Sequence, residues 1–248
     1  MKKNILITGA NGFLGSFYTK SFLKNNNIVA VDKSFSNLKT LTEDKNLILI
    51  RCNLSEDKSL KELIKIIKKK KINIDVLINN AAIDAVPNMG KFIIEKKKWN
   101  LEFDVSLFAS TFLCYEIGNM MKKKNKGSII NIGSDLSVIA PNQKIYKTTF
   151  KNYLKPASYS IIKHGVVGMT KYFAALFAQD GIRVNMISPG PIFNDNPKNL
   201  VKELKRIIPM NRLGKKEYLL PSLKFLMDDK NAYITGQNIV IDGGRTII

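Results

Sequence analysis

Apolar residues recur along the chain in short continuous runs that are separated by longer polar stretches. These runs predict seven strands, at residues 4–7, 28–31, 47–50, 74–78, 128–132, 183–187 and 238–241. Within each run the apolar residues are consecutive and do not alternate with polar ones. This pattern is typical of strands that are covered on both faces, as in a parallel sheet.

The stretches between these runs have helical spacing. In residues 59–70, for example, Leu60, Leu63, Ile64 and Ile67 fall on one face of a helix, and lysines fall on the other. Strand and helix therefore alternate along the chain. The alternation predicts an α/β fold of the Rossmann type, with a doubly wound, parallel, seven-stranded sheet and helices on both of its faces.

The chain has 248 residues, and no Pro-, Gly- or Ser-rich linker, shift in composition or internal repeat divides it. We therefore predict a single domain over residues 1–248. One stretch interrupts the alternation, because residues 135–156 contain Pro141, four lysines and three aromatic residues without a clean period. We predict that this stretch is an expanded loop beside a binding site.

Composition narrows the choice of partners. The formal net charge of +20 would suit a nucleic acid or a membrane surface, but only five of the 40 basic residues are Arg. Because base edges and phosphates are recognised mainly by Arg, we expect no nucleic-acid partner. No window reaches the roughly 18 to 20 apolar residues of a membrane span. Cys52 and Cys114 lack disulfide or metal-ligand spacing, so we expect a cytoplasmic protein without a metal site or a membrane partner.

The first predicted strand leads into the sequence TGANGFLG. Gly9, Gly12 and Gly15 stand where the chain must turn, approach a pyrophosphate and pack a helix on the sheet. An ordinary strand-to-helix turn would need similar glycines, but Asp32 also ends the second strand, 17 residues after Gly15. Its carboxylate would accept hydrogen bonds from the adenosine ribose and repel the phosphate of NADP. We predict NAD as the cofactor and NADP as less favoured. The cation of the neighbouring Lys33 would partly accommodate the extra phosphate of NADP and so weakens this preference.

Three further segments carry polar groups at the ends of strands or on a helix. Residues 79–82 (Asn-Asn-Ala-Ala) close the fourth strand, Ser134 follows the fifth, and Tyr159 precedes Lys163 by four residues. Residues four apart on a helix share a face, so the phenol and the ammonium group share a site. Lowering a phenol pKa from about 10 to 7 requires roughly 4 kcal/mol of stabilisation of the phenolate, which a nearby cation can supply. The pair is therefore predicted to transfer a proton.

In this order, the motifs resemble those of the short-chain dehydrogenase/reductase family, whose hallmark is YxxxK. The likeness spans nearly the whole chain, from TG at residues 8–9 to ITGQNIVIDGG at 234–244. It also includes Trp99, RVN at 183–185 and SPG at 188–190. The resemblance implies a Rossmann-type fold and an enzyme that interconverts a carbonyl and a secondary alcohol by hydride transfer with NAD(P). It also implies a homodimer or homotetramer.

The resemblance assigns roles to individual residues. Tyr159 is implied to exchange a proton with the substrate oxygen, Ser134 to hold that oxygen, and Lys163 to tune Tyr159 and bind the nicotinamide ribose. The implied cofactor contacts are Gly9, Asn11, Gly12, Phe13, Leu14, Gly15, Asp32, Asn53, Leu54, Asn80, Ala81, Ala82, Tyr159, Lys163, Pro189, Gly190 and Ile192.

The chain departs from the family pattern in three places. Its glycine loop reads TGxxGxxG, whereas members of this length usually have TGxxxGxG. Ser106 stands seven residues after Trp99, where the family usually has an Asn that supports a proton-relay water. We therefore treat Ser106 as a candidate catalytic residue. Its hydroxyl has one hydrogen-bond donor where the amide of Asn has two, so the proton relay would differ from that of the family. The interval between Ser134 and Tyr159 is also longer than is usual.

The residues added in that interval suggest a substrate. A polar or anionic small molecule, such as a sugar phosphate or nucleotide sugar for surface-glycan biosynthesis, would suit their cations and aromatic rings; a solvated lid is the alternative. Two other functions remain open, a 3-oxoacyl-thioester reductase and a non-catalytic dinucleotide-binding scaffold. The loop side chains in question are Lys144, Tyr146, Lys147, Lys151, Tyr153 and Lys155.

Overall fold

The computed structural model describes residues 2–83, 95–146 and 154–248, and the backbone alone at 88, 89, 147 and 153. Within these residues a seven-stranded sheet forms the centre of the molecule. Its strands are β1 (Asn4–Thr8), β2 (Asn27–Asp32), β3 (Leu47–Arg51), β4 (Val76–Asn79), β6 (Gly127–Ile132), β8 (Ile182–Pro189) and β9 (Asn238–Ile241). Each agrees with a predicted apolar run to within two residues at either end.

All neighbouring strands of this sheet are parallel, and their order is β3-β2-β1-β4-β6-β8-β9. The predicted parallel sheet is therefore confirmed. Two further short strands, β5 (Asn88–Met89) and β7 (Tyr153–Leu154), form a separate antiparallel ladder.

The described helices lie between the strands, as the sequence predicts. They are α1 (Phe13–Leu23), α2 (Asp57–Lys69), α3 (Lys96–Phe103), α4 (Ala109–Lys122), α5 (Gln143–Lys147), α6 (Ala157–Phe177), α7 (Lys198–Arg206) and α8 (Leu220–Met227). A π-helical turn, Asp104–Phe108, joins α3 to α4. In the described parts of the chain, no helix combines the length and apolar content that a bilayer span requires.

Helices cover both faces of the sheet. Successive residues of a strand point to opposite faces, so neighbouring residues of β1 pack against different helices. Leu6 of β1 packs in a layer with α2, α4 and α6, which includes Phe173. Its neighbours Ile5 and Ile7 pack in the opposite layer with α1 and α8, which includes Leu223. The doubly wound, Rossmann-type architecture is therefore confirmed.

The order in which strands are added to the sheet reverses between β1 and β4, because β2 and β3 lie on one side of β1 and β4 lies on the other. β1 pairs with β2 on one side and with β4 on the other. In an open parallel sheet, the loops after two such strands diverge and leave a crevice at the carboxyl ends of the strands. The loops after β1, β4, β6 and β8 all meet at this edge, so the fold places the predicted site residues there.

The segment predicted as an expanded loop contains short elements. A 3-10 turn spans Asp135–Ser137, α5 follows with five residues, and β7 has two residues. Residues 148–152, including the predicted Lys151, lie outside the described residues. Elements this short contain too few repeats for hydrophobic spacing to reveal them. The assignment of the segment to one domain with the rest of the chain stays a prediction.

Candidate active site

The turn between β1 and α1 is closed tightly by its glycines. Gly9 has a φ of +62°, and a Cβ on it would lie 2.8 Å from the Cα of Ala81. The N–H of Gly12 donates to the carbonyl of Gly9 at 3.0 Å, and α1 begins at the next residue. A Cβ on Gly15 would collide with the carbonyl oxygen of Gly9. Gly15 therefore packs α1 against the turn, and the helix N-terminus faces the crevice, where it favours an anion.

Asn80 ties the end of β4 to this turn. Its backbone N–H donates to Thr8 Oγ1 at 3.0 Å, and the N–H of Ala81 donates to the same oxygen at 3.1 Å. The side-chain amide of Asn80 donates to the carbonyl of Thr8 at 3.0 Å. Because its polar groups are used in this way, Asn80 fixes the spacing between β1 and β4, and the small residues Ala81 and Ala82 leave the strand edge open.

Asp32 lies at the carboxyl end of β2 and holds the neighbouring loop. Its Oδ2 accepts from the N–H of Asn11 at 2.9 Å, and its Oδ1 accepts from the N–H of Ser34 at 3.3 Å. The side chain of Asn11 donates to Ser34 Oγ at 3.1 Å and accepts from the N–H of Asn37 at 2.7 Å. The carboxylate is therefore held at a defined position on the wall of the crevice, with Lys33 beside it.

These elements enclose a cleft of about 650 Å³ along the strand ends. The predicted cofactor residues Gly9, Asn11, Gly12, Phe13, Leu14, Asp32, Asn53, Leu54, Asn80, Ala81, Ala82 and Tyr159 all line it. Gly15 does not line it and lies behind the turn. The glycine cradle, the helix N-terminus and the carboxylate at the end of β2 fit a dinucleotide, whose phosphates need close backbone approach and whose ribose needs an acceptor. We name this space the cofactor cleft.

Tyr159 and Lys163 lie one turn apart near the start of α6, as predicted. Lys163 is 5% exposed, and its Nζ donates to the carbonyl of Ile132, the last residue of β6, at 3.1 Å. The same Nζ is 5.6 Å from the centroid of the Tyr159 ring. A second ammonium group, that of Lys155, lies 4.2 Å from the centroid. Two cations therefore lie within 6 Å of the centroid of this ring, and the sequence assigned only Lys163 to it.

Ser134 follows β6 and is buried. Its Oγ accepts from the N–H of Leu136 at 3.2 Å and donates to Asp135 Oδ1 at 2.9 Å. The other oxygen of Asp135 forms a buried ion pair with Nη1 of Arg245. Burial raises the pKa of Asp135, although the charge of Arg245 and the hydrogen bond from Ser134 act to lower it. Sequence reasoning assigned Ser134 but missed both charged residues behind it.

Arg245 reaches this position from a glycine turn after β9. Gly243 and Gly244 have φ values of +68° and +90°. Asp242 closes the turn, because its carboxylate accepts from the N–H of Gly244 at 2.8 Å and from that of Thr246 at 2.7 Å. A DGG sequence is a turn signal with a known mechanism, but it does not indicate which later side chain the turn directs inward. The only sequence signal for Arg245 was therefore indirect.

A second cleft, of about 590 Å³, adjoins the first at Phe13, Leu14, Asn80, Ala82 and Tyr159, which line both. We name it the substrate cleft. The predicted residues Ser134, Tyr159, Lys163, Pro189, Gly190 and Ile192 line it. It is also lined by Tyr146, Lys155, Asp135, Arg245 and the apolar Leu136, Leu200 and Leu204.

Ser106 is not brought into either cleft. It is buried in the π-helical turn, and its Oγ accepts from the N–H of Ile83 at 3.0 Å. Its hydroxyl therefore holds the backbone just beyond Ala82, and its role in a proton relay remains a prediction. Of the predicted loop residues, Tyr146 and Lys155 reach the substrate cleft, whereas Lys144 is exposed and does not.

A crevice shaped for a dinucleotide thus opens onto a tyrosine flanked by cations, which is the arrangement of a dehydrogenase or reductase. The family model described as enoyl-(acyl carrier protein) reductase matches residues 25–246, and the chain belongs to the short-chain dehydrogenase/reductase family. It is an oxidoreductase that acts on CH–OH groups with NAD(P).

Similar proteins extend over the whole chain. The 3-oxoacyl-[acyl-carrier-protein] reductase FabG of Buchnera aphidicola subsp. Schizaphis graminum is 33% identical over 98% of this chain and 97% of its own. The short chain dehydrogenase of Leptospira borgpetersenii, solved with NAD+, is 29% identical over 99% of this chain and 93% of its own, with a TM-score of 0.89.

Two further solved structures bear on the cofactor. The structure of 4-hydroxyisoleucine dehydrogenase with NADH is 28% identical, covers 100% of both chains and has a TM-score of 0.90. ElxO with NADP is 26% identical, also covers 100% of both chains and has a TM-score of 0.83. Both forms of the cofactor therefore occur among similar structures, and the family alone does not decide between them.

Proposed function

We propose that this chain is an NAD-linked oxidoreductase that interconverts a ketone and a secondary alcohol on a small anionic substrate, of the sugar phosphate or nucleotide sugar class. The observation that carries the substrate class is the position of Lys155. Its ammonium group lies 4.2 Å from the centroid of the Tyr159 ring and lines the substrate cleft. A cation so close to the proposed proton donor would hold an anionic group of the substrate next to the reacting carbon.

When bound, the nicotinamide supplies or accepts the hydride. Tyr159 is proposed to give a proton to the substrate oxygen during reduction and to take it back during oxidation. Lys163 stabilises the negative charge that Tyr159 carries between these steps, from a position fixed by the carbonyl of Ile132. Ser134 is proposed to hold the substrate oxygen, because it lies in the same cleft as Tyr159.

The proposed preference for NAD rests on Asp32. Each of its oxygens accepts one backbone hydrogen bond, from Asn11 or from Ser34, and each keeps another acceptor position. The hydroxyl groups of a ribose can occupy those positions. The extra phosphate of NADP would instead place like charges side by side, at a cost of several kcal/mol. Lys33 lines the same cleft and reduces this cost, so the preference is one of degree.

The experiment compares two lysines of one segment. Lys155→Met removes the cation beside Tyr159, and Lys144→Met removes an exposed one. With a sugar phosphate or nucleotide sugar and NAD(H), Lys155→Met should raise KM about tenfold, since a hydrogen-bonded charge contributes about 1.5 kcal/mol. Lys144→Met should leave KM unchanged. If these compounds neither turn over nor shift the melting temperature, the proposed substrate class is wrong.

A second candidate is the reduction of a 3-oxoacyl thioester. Its support is the name of the Buchnera relative and the apolar wall of Leu136, Leu200 and Leu204, which would accept an acyl chain. Turnover of acetoacetyl thioesters with NADPH, faster than any sugar substrate with NADH, would favour this candidate. Saturable NAD(H) binding without turnover of either class would instead favour a non-catalytic scaffold.

We also propose that the chain forms a homodimer or homotetramer. The described helices α4 and α6 carry large apolar side chains that are about half exposed or more, among them Tyr115, Ile161, Tyr172 and Leu176. A second copy covering these side chains would remove them from water. Sedimentation velocity measures the assembly directly.

A further inference from the structure

The hydroxyl group of Ser134 is already engaged by its own neighbours. A serine hydroxyl has one donor and two acceptor positions. Here the donor goes to Asp135 Oδ1 at 2.9 Å, and one acceptor position is taken by the N–H of Leu136 at 3.2 Å. To hold a substrate oxygen, which accepts, the hydroxyl must turn its proton from Asp135 to the substrate while Oγ stays in place. The location of Oγ is therefore set by the segment that immediately follows it.

Asp135 is itself held by a distant part of the chain. Its Oδ2 pairs with Nη1 of Arg245, and both side chains are 4% exposed. The guanidinium group prevents the carboxylate from rotating, so that Oδ1 keeps facing Ser134. The interactions therefore run in series from the turn after β9, through Arg245 and Asp135, to Ser134.

We propose that Asp135 and Arg245 are positioning residues, which hold the Ser134 hydroxyl where the substrate oxygen must bind. This inference rests on the proposed oxidoreductase function of the same cleft. The pair has no role in the mechanism given above, yet both residues line the substrate cleft.

A purely stabilising role fits the pair poorly. Burying two charges costs desolvation free energy, and apolar residues of similar size often stabilise a protein as well or better. The desolvation is incompletely offset here, because Nε of Arg245 is buried without a hydrogen-bond partner among the residues that the structure describes. An apolar pair in the same place would lack Asp135 Oδ1, the oxygen that accepts the hydrogen bond from Ser134.

The pair also differs from the other cations of the cleft. The charge of Arg245 is neutralised by Asp135, whereas Lys155 lies at the ring of Tyr159. We therefore assign the positioning of Ser134, and not the binding of a substrate anion, to Asp135 and Arg245.

Two double variants that differ at one position test the proposal. Asp135→Asn/Arg245→Met and Asp135→Leu/Arg245→Met both remove the ion pair, and Asn and Leu have the same number of side-chain heavy atoms, branched at the same carbon. Only the Asn variant keeps a side-chain oxygen that can accept from Ser134. We expect the Asn variant to stay within about threefold of the wild-type kcat and the Leu variant to lose about 10- to 100-fold, as displaced catalytic groups do. The NADH Kd should be the same in both.

A second measurement tests whether the difference in kcat between the two double variants depends on Ser134. In a Ser134→Ala background, the Asn and Leu forms should have equal kcat, because the residue through which they act is gone. Melting temperatures confirm that each variant is folded at the assay temperature. If the two forms have equal kcat while Ser134 is present, or still differ after Ser134→Ala, the positioning role is wrong.

Different results would overturn the proposed function and the positioning role. If the wild-type chain reduces or oxidises no substrate of either class, the proposed function is overturned, and the positioning role with it. If the wild-type chain turns over and the two double variants have the same kcat, only the positioning role is overturned.

Discussion

The cofactor cleft and the substrate cleft share one edge of the sheet but are built in different ways. Most of the residues that line the cofactor cleft follow directly after β1, β2, β3 or β4, and the glycine turn after β1 is held by close backbone contacts. The substrate cleft is assembled from Ser134, Lys155, Arg245 and other side chains that are far apart in the chain. The shape of the first cleft depends on close backbone packing, and that of the second depends on charged side chains holding one another.

This difference sets what each cleft tolerates. A single methyl group in the glycine turn meets backbone atoms, which have little room to move. In the substrate cleft, exchanging one charge leaves the backbone in place but removes a partner from a buried group. We therefore expect changes in the cofactor cleft to act on folding and NAD affinity together, and changes in the substrate cleft to act on substrate binding and turnover.

The largest effect is expected at the boundary between the clefts. Tyr159→Phe removes the proposed proton donor and should lower kcat by about 10²- to 10⁴-fold. NADH affinity, measured by fluorescence titration, should be nearly unchanged, because the ring remains. Tyr233→Phe, at a fully exposed tyrosine that lines neither cleft, is the control and should keep full activity. Activity retained in Tyr159→Phe would disprove the proposed mechanism.

A methyl group at Gly15 tests the rigidity of the cofactor cleft. Gly15→Ala would place Cβ against Gly9 and 2.9 Å from the Cα of Ala10, so we expect the free energy of unfolding to fall by about 1–3 kcal/mol. NAD affinity should fall with it. In contrast, a Cβ on Gly168 of α6 would meet no atom within 4 Å. Gly168→Ala should therefore stabilise the protein by roughly 0.5–1 kcal/mol in urea unfolding.

Among changes to residues that line the clefts, the smallest effect is expected for cofactor preference. Asp32→Asn keeps an oxygen for the N–H of Asn11 but removes the charge that would repel a ribose phosphate. The ratio of kcat/KM for NAD to that for NADP should fall about tenfold, which corresponds to about 1.4 kcal/mol. Glu43→Gln removes an exposed charge from the same half of the chain and should leave the ratio unchanged. A constant ratio in Asp32→Asn would mean that Asp32 does not select the cofactor.

The fold and the cofactor cleft were largely predictable, because both depend on local patterns. Continuous apolar runs specify buried parallel strands, and the four-residue spacing of Tyr159 and Lys163 places them on one helix face. The contacts of Gly9 and Gly12 follow from a turn that spans a few residues. Such features need no knowledge of how distant segments meet.

The substrate cleft was less predictable for the same reason. Arg245 enters it because the turn at Asp242 directs the chain inward, and Lys155 reaches the ring of Tyr159 from outside the helix. The contact of Arg245 has no fixed spacing in the sequence, and Lys155, although only four residues before Tyr159, lies outside α6, where helical spacing does not apply. For Ser106 the family position suggested a catalytic role, which stays a prediction; the fold adds that its hydroxyl accepts from the backbone N–H of Ile83, a contact that no local pattern indicates.

The position of Tyr159 in the walls of both clefts has a thermodynamic consequence. A ligand in either cleft alters the surface that the other ligand contacts, so the two binding free energies are coupled. Such coupling is reciprocal: if NAD(H) tightens substrate binding by some factor, the substrate tightens NAD(H) binding by the same factor. Calorimetric titrations in both orders, cofactor first and substrate first, should therefore give the same coupling free energy.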